Sequence, residues 1–183
     1  MASAFSHAFV ALAMGKLYAH ARLPARFRVL SVICAVLPDA DVLGFSFGIH
    51  YGDMLGHRGL THSLLFALAT GSVVVWLFFK DAALNRGALV FYFFLVTASH
   101  GALDALTNGG LGVAFFAPFE NSRYFFPFRP VEVSPIGIGD FFSSRGAAVL
   151  VSEFIWLWIP AALIVILSLS WRKWSRRRRV VNG

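Results

Sequence analysis

Five apolar stretches, closed or interrupted by charged residues or proline, leave this chain few places to fold other than a lipid bilayer. The clearest covers residues 149–170 and runs into Trp171-Arg172-Lys173-Trp174 and then four arginines, Arg176 to Arg179. About 20 apolar residues cross the hydrocarbon core of a membrane, and interfacial Trp followed by basic residues marks the exit. Residues 63–79, closed by Lys80-Asp81, form a second span, and residues 88–107 a third. Residues 29–43 are shorter and interrupted by Pro38, while residues 5–18 are the weakest stretch, expected to span, tilt or lie in the interface. Charged residues make up 14% of the 183 and hydrophobic ones 58%, against about 25% charged in soluble domains. A chain this short cannot bury that much apolar surface in water. The expected fold is all-α, a polytopic membrane helical bundle of about five spans. A single membrane domain covers residues 1–175, followed by a basic cytoplasmic tail at 176–183.

The formal net charge of +7 would by itself suit nucleic acid. The cations flank apolar spans, however, so membrane lipids are the expected partner and nucleic acid is not. One cysteine, Cys34, permits neither an intrachain disulfide nor a Cys-based zinc site. Met1 to Ser6 carry no Lys or Arg, so the first apolar segment is expected to be retained, not cleaved. Gly109-Gly110-Leu111-Gly112 follows a helix, not a strand, and is no dinucleotide fingerprint. Neither Ser63 nor Ser99 sits on a nucleophile elbow. Residues 108–148 form a long loop holding Phe115, Phe116, Phe119, Tyr124, Phe125, Phe126 and Phe128. Such loops tend to be functional, and this one fits either a connector lying on the headgroups or a lid over a lipid substrate.

Charge sorts the ends of the spans. Lys16, Arg22, Arg26 and Arg28 surround the first connection, Lys80 and Arg86 the third, and the tail holds six more cations from Arg172 to Arg179. Five spans put all three groups on one side, which the positive-inside rule makes cytoplasmic. The other side holds only Arg58, Arg123, Arg129 and Arg145. The N-terminus is then expected outside and the C-terminus inside. On the same model His7, Asp39, Asp41, His57, His62, His100, Asp104 and Glu153 all fall near the outer ends of their elements. Unrelated polar residues would not be expected to sort in this way.

Each motif has a chemical reading and a plainer one. His100 and Asp104, four apart on a helix, share a face. Imidazole and carboxylate together suit zinc, with manganese or iron as alternatives; the plainer reading is a buried hydrogen-bonded pair. Ionisable groups within a span are costly unless used or paired. His57-Arg58-Gly59-Leu60-Thr61-His62-Ser63 precedes a span. Thr61 or Ser63 could cap that helix, and the planar fork of Arg58 could hold phosphate. Asp39 and Asp41 could bridge two cations, or one could bind while the other acts as base. Their plainer reading is a solvated helix terminus. His7 is a further candidate ligand. Glu153 suits an anchor as well as a ligand, His50, Asp53 and Asp140 are weaker candidates, and His20 is expected to be structural.

Asp39-Ala-Asp41, His57-Arg-Gly-Leu-Thr-His62-Ser63 and Ser99-His100-x-x-x-Asp104-x-x-Thr107, with His7, resemble the YdjM-like family of bacterial inner-membrane proteins, described as metal-dependent hydrolases. The resemblance covers roughly the first 140 residues. It implies that His7, Asp39, Asp41, His57, His62, His100 and Asp104 form one polar set. More distantly, the order of ligands is similar to part of the metal site of zinc-dependent phospholipase C and P1-type nucleases. The later His ligands of those enzymes have no counterpart here, so one or two divalent ions are expected, not three, with zinc first and manganese second. The resulting expectation is a hydrolase using a metal-activated water on a phosphoester or lipid-type substrate at the outer face of the cytoplasmic membrane. Its metal ligands would be His7, Asp39, Asp41, His62, His100 and Asp104. His57 or Asp41 would be base, or ligand to a second ion, and Arg58 would hold the substrate phosphate. The competing expectations are a non-enzymatic metal-binding or transport protein, and a structural protein whose polar cluster only fixes helix packing.

Overall fold

The computed structural model describes residues 1–18, 23–80 and 84–181, with the side chains of Ile138, Arg176, Arg179, Val180 and Val181 set aside. His20, Arg22 and Asp81 lie outside the described residues. The described residues form helices joined by irregular segments: α1 (Ala4–Tyr18), α2 (Ala25–Val36), α3 (Leu64–Phe78), α4 (Arg86–Ala105), α5 (Ile138–Phe141), α6 (Ser144–Glu153) and α7 (Ile159–Val181). They contain no strand, only isolated bridges pairing Thr107 with Val131 and Val113 with Tyr124. Helices are what a bilayer permits, because each satisfies its backbone polar groups internally.

Three continuous helical segments are long and apolar enough to cross a membrane: Ala25–Phe47, Arg86–Ala105 and Ser144–Ser175. The other two expected spans, α1 and α3, are apolar helices of 15 residues each. The second span does not break at Pro38. Its α-helical part ends at Val36 and the chain continues as a 3-10 helix over Leu37–Phe47, with Pro38 in its first turn. The last span begins earlier than expected, at Ser144, and passes through a π-helical stretch over Phe154–Trp158. Ser63 caps α3, its hydroxyl accepting from Phe66 N at 3.1 Å, and Asn85 caps α4 by accepting from Ala88 N at 3.0 Å.

The apolar core lies between α1, α2, α3 and α4. It is built from Phe27, Leu30, Val75, Phe79, Leu89, Phe93 and Val96, with the rings of Phe27, Tyr92 and Phe93 packed together. Contact between α3 and α4 depends on Gly71: a Cβ there would sit 2.8 Å from Phe94 N and 2.9 Å from Val90 O. Small residues let helix backbones approach in this way inside membranes. Large apolar residues such as Trp76, Phe91 and Leu167 instead point outwards, as a surface solvated by lipid requires.

Candidate metal centre

The cluster forms where α1 begins, the 3-10 helix follows α2, α3 begins and α4 ends. The 3-10 geometry matters for Asp39 and Asp41. Two residues apart on an α-helix, they would point about 160° apart; at three residues per turn the separation is about 120°. Both carboxylates therefore turn inward, each only 8% exposed. Asp39 faces His100, with Oδ1 3.2 Å from Nε2. Asp41 faces the 57–62 segment, with Oδ1 2.8 Å from His57 Nδ1. On α4, His100 and Asp104 share a face as their spacing requires, and both are fully buried. Gly101 lets the 60–62 turn close on that face, since a Cβ there would lie 3.0 Å from His62 O.

Two groups of ligand-type atoms result, each lying within 4.8 Å of one another: Asp39, His62, His100 and Asp104, and then Asp41, His57 and His62. His62 belongs to both. The hydrogen-bond partners fix the imidazole tautomers. His100 Nδ1 lies 2.7 Å from Ala35 O, which can only accept, so this nitrogen carries hydrogen and Nε2 offers its lone pair inward. His62 Nδ1 lies 3.2 Å from Asp41 Oδ2, which leaves its Nε2 facing His100 Nε2 at 3.0 Å. Two imidazole lone pairs cannot face each other at that distance without a cation or proton between them. Burial disfavours charge on His62, but its contacts with Asp104, Asp39 and Asp41 outweigh that effect and push its pKa up to about 10. In the absence of metal, a proton takes the place of a cation. Among the described residues four further buried atoms have no hydrogen-bond partner: His7 Nδ1 and Nε2, Asp39 Oδ2 and His57 Nε2. Unpaired buried polar groups are costly, and this concentration of them fits a bound ion.

His7 lies beside the first group but outside it. Its ring stacks on His100 at 3.7 Å, and its Nε2 is 3.5 Å from Asp104 Oδ1. Arg58, expected to hold substrate phosphate, has its guanidinium turned into the protein. A phosphate clamp needs an open guanidinium, whereas this one is fully buried. Its Nε donates to Asp104 Oδ2 at 3.0 Å, Nη1 to Gly109 O at 2.9 Å and Nη2 to Thr107 Oγ1 at 2.9 Å. Its φ of 63° is left-handed, an unusual conformation for a non-glycine residue and one that occurs at functional sites. Asp104 also accepts from Ala2 N at 2.7 Å. The Met1 amino group is buried as well; burial lowers its pKa and attraction to Asp104 opposes this.

Glu153 is an anchor. It accepts from Ser3 N, from Ser3 Oγ at 2.5 Å and from Ser6 Oγ at 2.7 Å, and so ties the start of α1 to the last span. Trp158 Nε1 completes the tie by donating to Ser6 Oγ at 2.7 Å. His50 and Asp53 pair with each other at the surface, and Asp140 is exposed. Several supports were not legible as such in the sequence. Thr61, singled out only as a possible cap, donates to Asp41 Oδ2 at 2.7 Å. Arg123 in the aromatic loop donates to His57 O at 2.9 Å and to Asp53 O at 3.0 Å, and Ala114 N donates to Arg58 O at 3.0 Å. The long loop is thereby fastened over the cluster. For Thr61 the HRGLTHS motif was a signal; for Arg123, 66 residues from its partner, there was none.

The model of the YdjM inner membrane protein family matches residues 1–176. Inner membrane protein YbcI of Escherichia coli (strain K12) is 36% identical over 179 residues, which is 97% of this chain and 100% of that protein. No solved structure matches.

Proposed function

We propose that this chain, which belongs to the YdjM family of inner membrane proteins, is a membrane-bound, metal-dependent hydrolase of phosphoester or lipid-type substrates. The observation that carries the reading is the pair of facing Nε2 atoms of His62 and His100, enclosed by Asp39 and Asp104. Asp39, His62, His100 and Asp104 would hold the first ion, with His7 beside them. Nitrogen and oxygen donors without sulfur suit zinc, and manganese second. A divalent ion bound there would acidify water and polarise a phosphoryl oxygen.

The remaining residues have separable roles. Asp41 accepts from His57 Nδ1–H and so fixes that tautomer, leaving His57 Nε2 as a proton acceptor; the carboxylate–imidazole arrangement is that of a general base. Asp41, His57 and His62 could alternatively hold a second ion. Arg58 acts through Asp104: it holds that carboxylate in place and balances its charge. Substrate phosphate would therefore be met by the ion and not by Arg58. The distribution of Lys and Arg supports an outer-face site, with the N-terminus outside and the C-terminus inside. Headgroup esters of membrane lipids would lie at that depth.

The test is metal analysis of purified protein, followed by hydrolysis assays on phospholipids and on bis(p-nitrophenyl) phosphate. Chelation should abolish turnover, zinc should restore it, and His100→Ala should remove both metal and activity. A His100→Ala variant with full activity would sink the mechanism. Bound metal without turnover on any ester would favour the non-enzymatic metal-binding reading. Absence of metal would favour a purely structural cluster.

A further inference from the structure

The end of the bundle remote from the cluster holds a second feature. A groove of about 620 Å³ runs between α1, α2 and α7, within the size range of sites that bind small molecules. Its walls are apolar, with Leu12 from α1, Phe27 from α2 and Ala162 and Val165 from α7. Its polar lining comes from Lys16, in the last turn of α1, and Arg28, in the first turn of α2. Among the described residues neither cation forms an ion pair with a carboxylate. Composition makes an internal partner scarce: Asp81 is the one carboxylate that the sequence puts at this end, against twelve Lys and Arg.

We propose that this groove binds one anionic phospholipid, with an acyl chain along the α1–α7 wall and the phosphate held between Lys16 and Arg28. Charge selects the occupant. An apolar trough alone would accept any lipid tail, but two uncompensated cations at its edge favour a headgroup with net negative charge over a zwitterionic one. Free phosphate would leave the apolar walls unused, and a second copy of this chain has Asp81 as its one carboxylate at this end. The lipid would fill the space between α2 and α7 and so hold the last span against the bundle. This inference is independent of any reaction at the His/Asp cluster.

Native mass spectrometry of the full chain, titrated with phosphatidylglycerol or phosphatidylcholine in mild detergent, tests it. One tight phosphatidylglycerol adduct is expected, not displaced by inorganic phosphate. Replacing both cations (Lys16→Gln with Arg28→Gln) should weaken that adduct roughly 30-fold and leave phosphatidylcholine unchanged. Ala162→Phe, which fills the trough, should weaken both lipids. Because it places an apolar ring among apolar residues, size-exclusion chromatography should show it folded. Equal phosphatidylglycerol binding by the double variant overturns the proposal. So does displacement by phosphate alone, or a dimer peak that Ala162→Phe abolishes, which would make the groove a contact between copies. If Ala162→Phe fails to fold, the double variant decides alone.

Discussion

Arg58 allows the two readings of its role to be separated by stability. A clamp facing substrate would affect turnover when removed and leave the fold unchanged. The structure instead buries the guanidinium completely, with three donors spent on Asp104, Gly109 O and Thr107. Arg58→Met keeps the length of the side chain and removes the charge. Asp104 then remains buried without its guanidinium, and breaking such a pair costs about 3–5 kcal/mol. For a chain of this size each kcal/mol lowers Tm by about 2–4 °C, so the loss should be roughly 6–20 °C in a metal-free preparation. Tryptophan fluorescence or fluorescence-detected size-exclusion chromatography of heated detergent samples measures it. Adding Asp104→Asn to Arg58→Met should recover part of the loss, because the stranded charge disappears with its partner. Close pairs typically couple by about 0.5–3 kcal/mol in such a cycle. A Tm for Arg58→Met within 2–3 °C of the parent would refute the role assigned to Arg58. Strictly additive effects in the double variant would do the same.

Three further outcomes follow from the same geometry. His62 has its pKa raised to about 10, so below that pH a metal must displace at least one proton, and log K should rise by about one per pH unit; calorimetry in buffers of different ionisation enthalpy counts the protons, and an affinity that does not vary between about pH 6 and 8 would exclude the displacement. Asp41→Asn removes the carboxylate that fixes the His57 tautomer, and should lower kcat about 10²–10⁴-fold with metal retained by Asp39, His62, His100 and Asp104; an unchanged kcat would remove His57 from the mechanism. Gly71→Leu drives a side chain into backbone atoms 2.8 and 2.9 Å from the Cβ position, and should abolish the monodisperse elution that Ser72→Leu, on the exposed side of α3, leaves intact.

The sequence made the membrane bundle and the shared end of the cluster legible because both follow from one-dimensional regularities: apolar run lengths, and the side on which cations fall. His100 and Asp104 were readable as a pair because a helix maps a spacing of four onto one face. Other details depend on local backbone geometry that spacing does not encode. Asp39 and Asp41 reach the same cluster because the chain tightens from an α-helix to a 3-10 helix at Pro38, and a continued α-helix would have pointed them nearly opposite ways. Arg58 reads as a phosphate ligand because the planar fork of a guanidinium matches phosphate. Its left-handed φ, which aims the side chain inward, has no signature in a non-glycine residue. Arg123 reaches His57 O only through the fold of the loop between α4 and α6, where no periodicity constrains the chain.

The charges of the cluster bear on why it persists in so apolar a molecule. Asp39, Asp41 and Asp104 are drawn together around His62, and their charge is matched only by Arg58 together with a Met1 amine and a His62 imidazole whose charged forms burial opposes. A structural network would be expected to reach neutrality with its hydrogen bonds closed, since a partly satisfied buried network is worse than apolar packing. Glu153 illustrates the closed hydrogen bonds, with its oxygens capped by Ser3 and Ser6. Among the described residues the His/Asp cluster keeps four buried atoms without a hydrogen-bond partner. Within one small protein the two buried carboxylate sites are thus built to different rules, one closed by its own hydrogen bonds and the other left with ligand-type groups that could hold a cation.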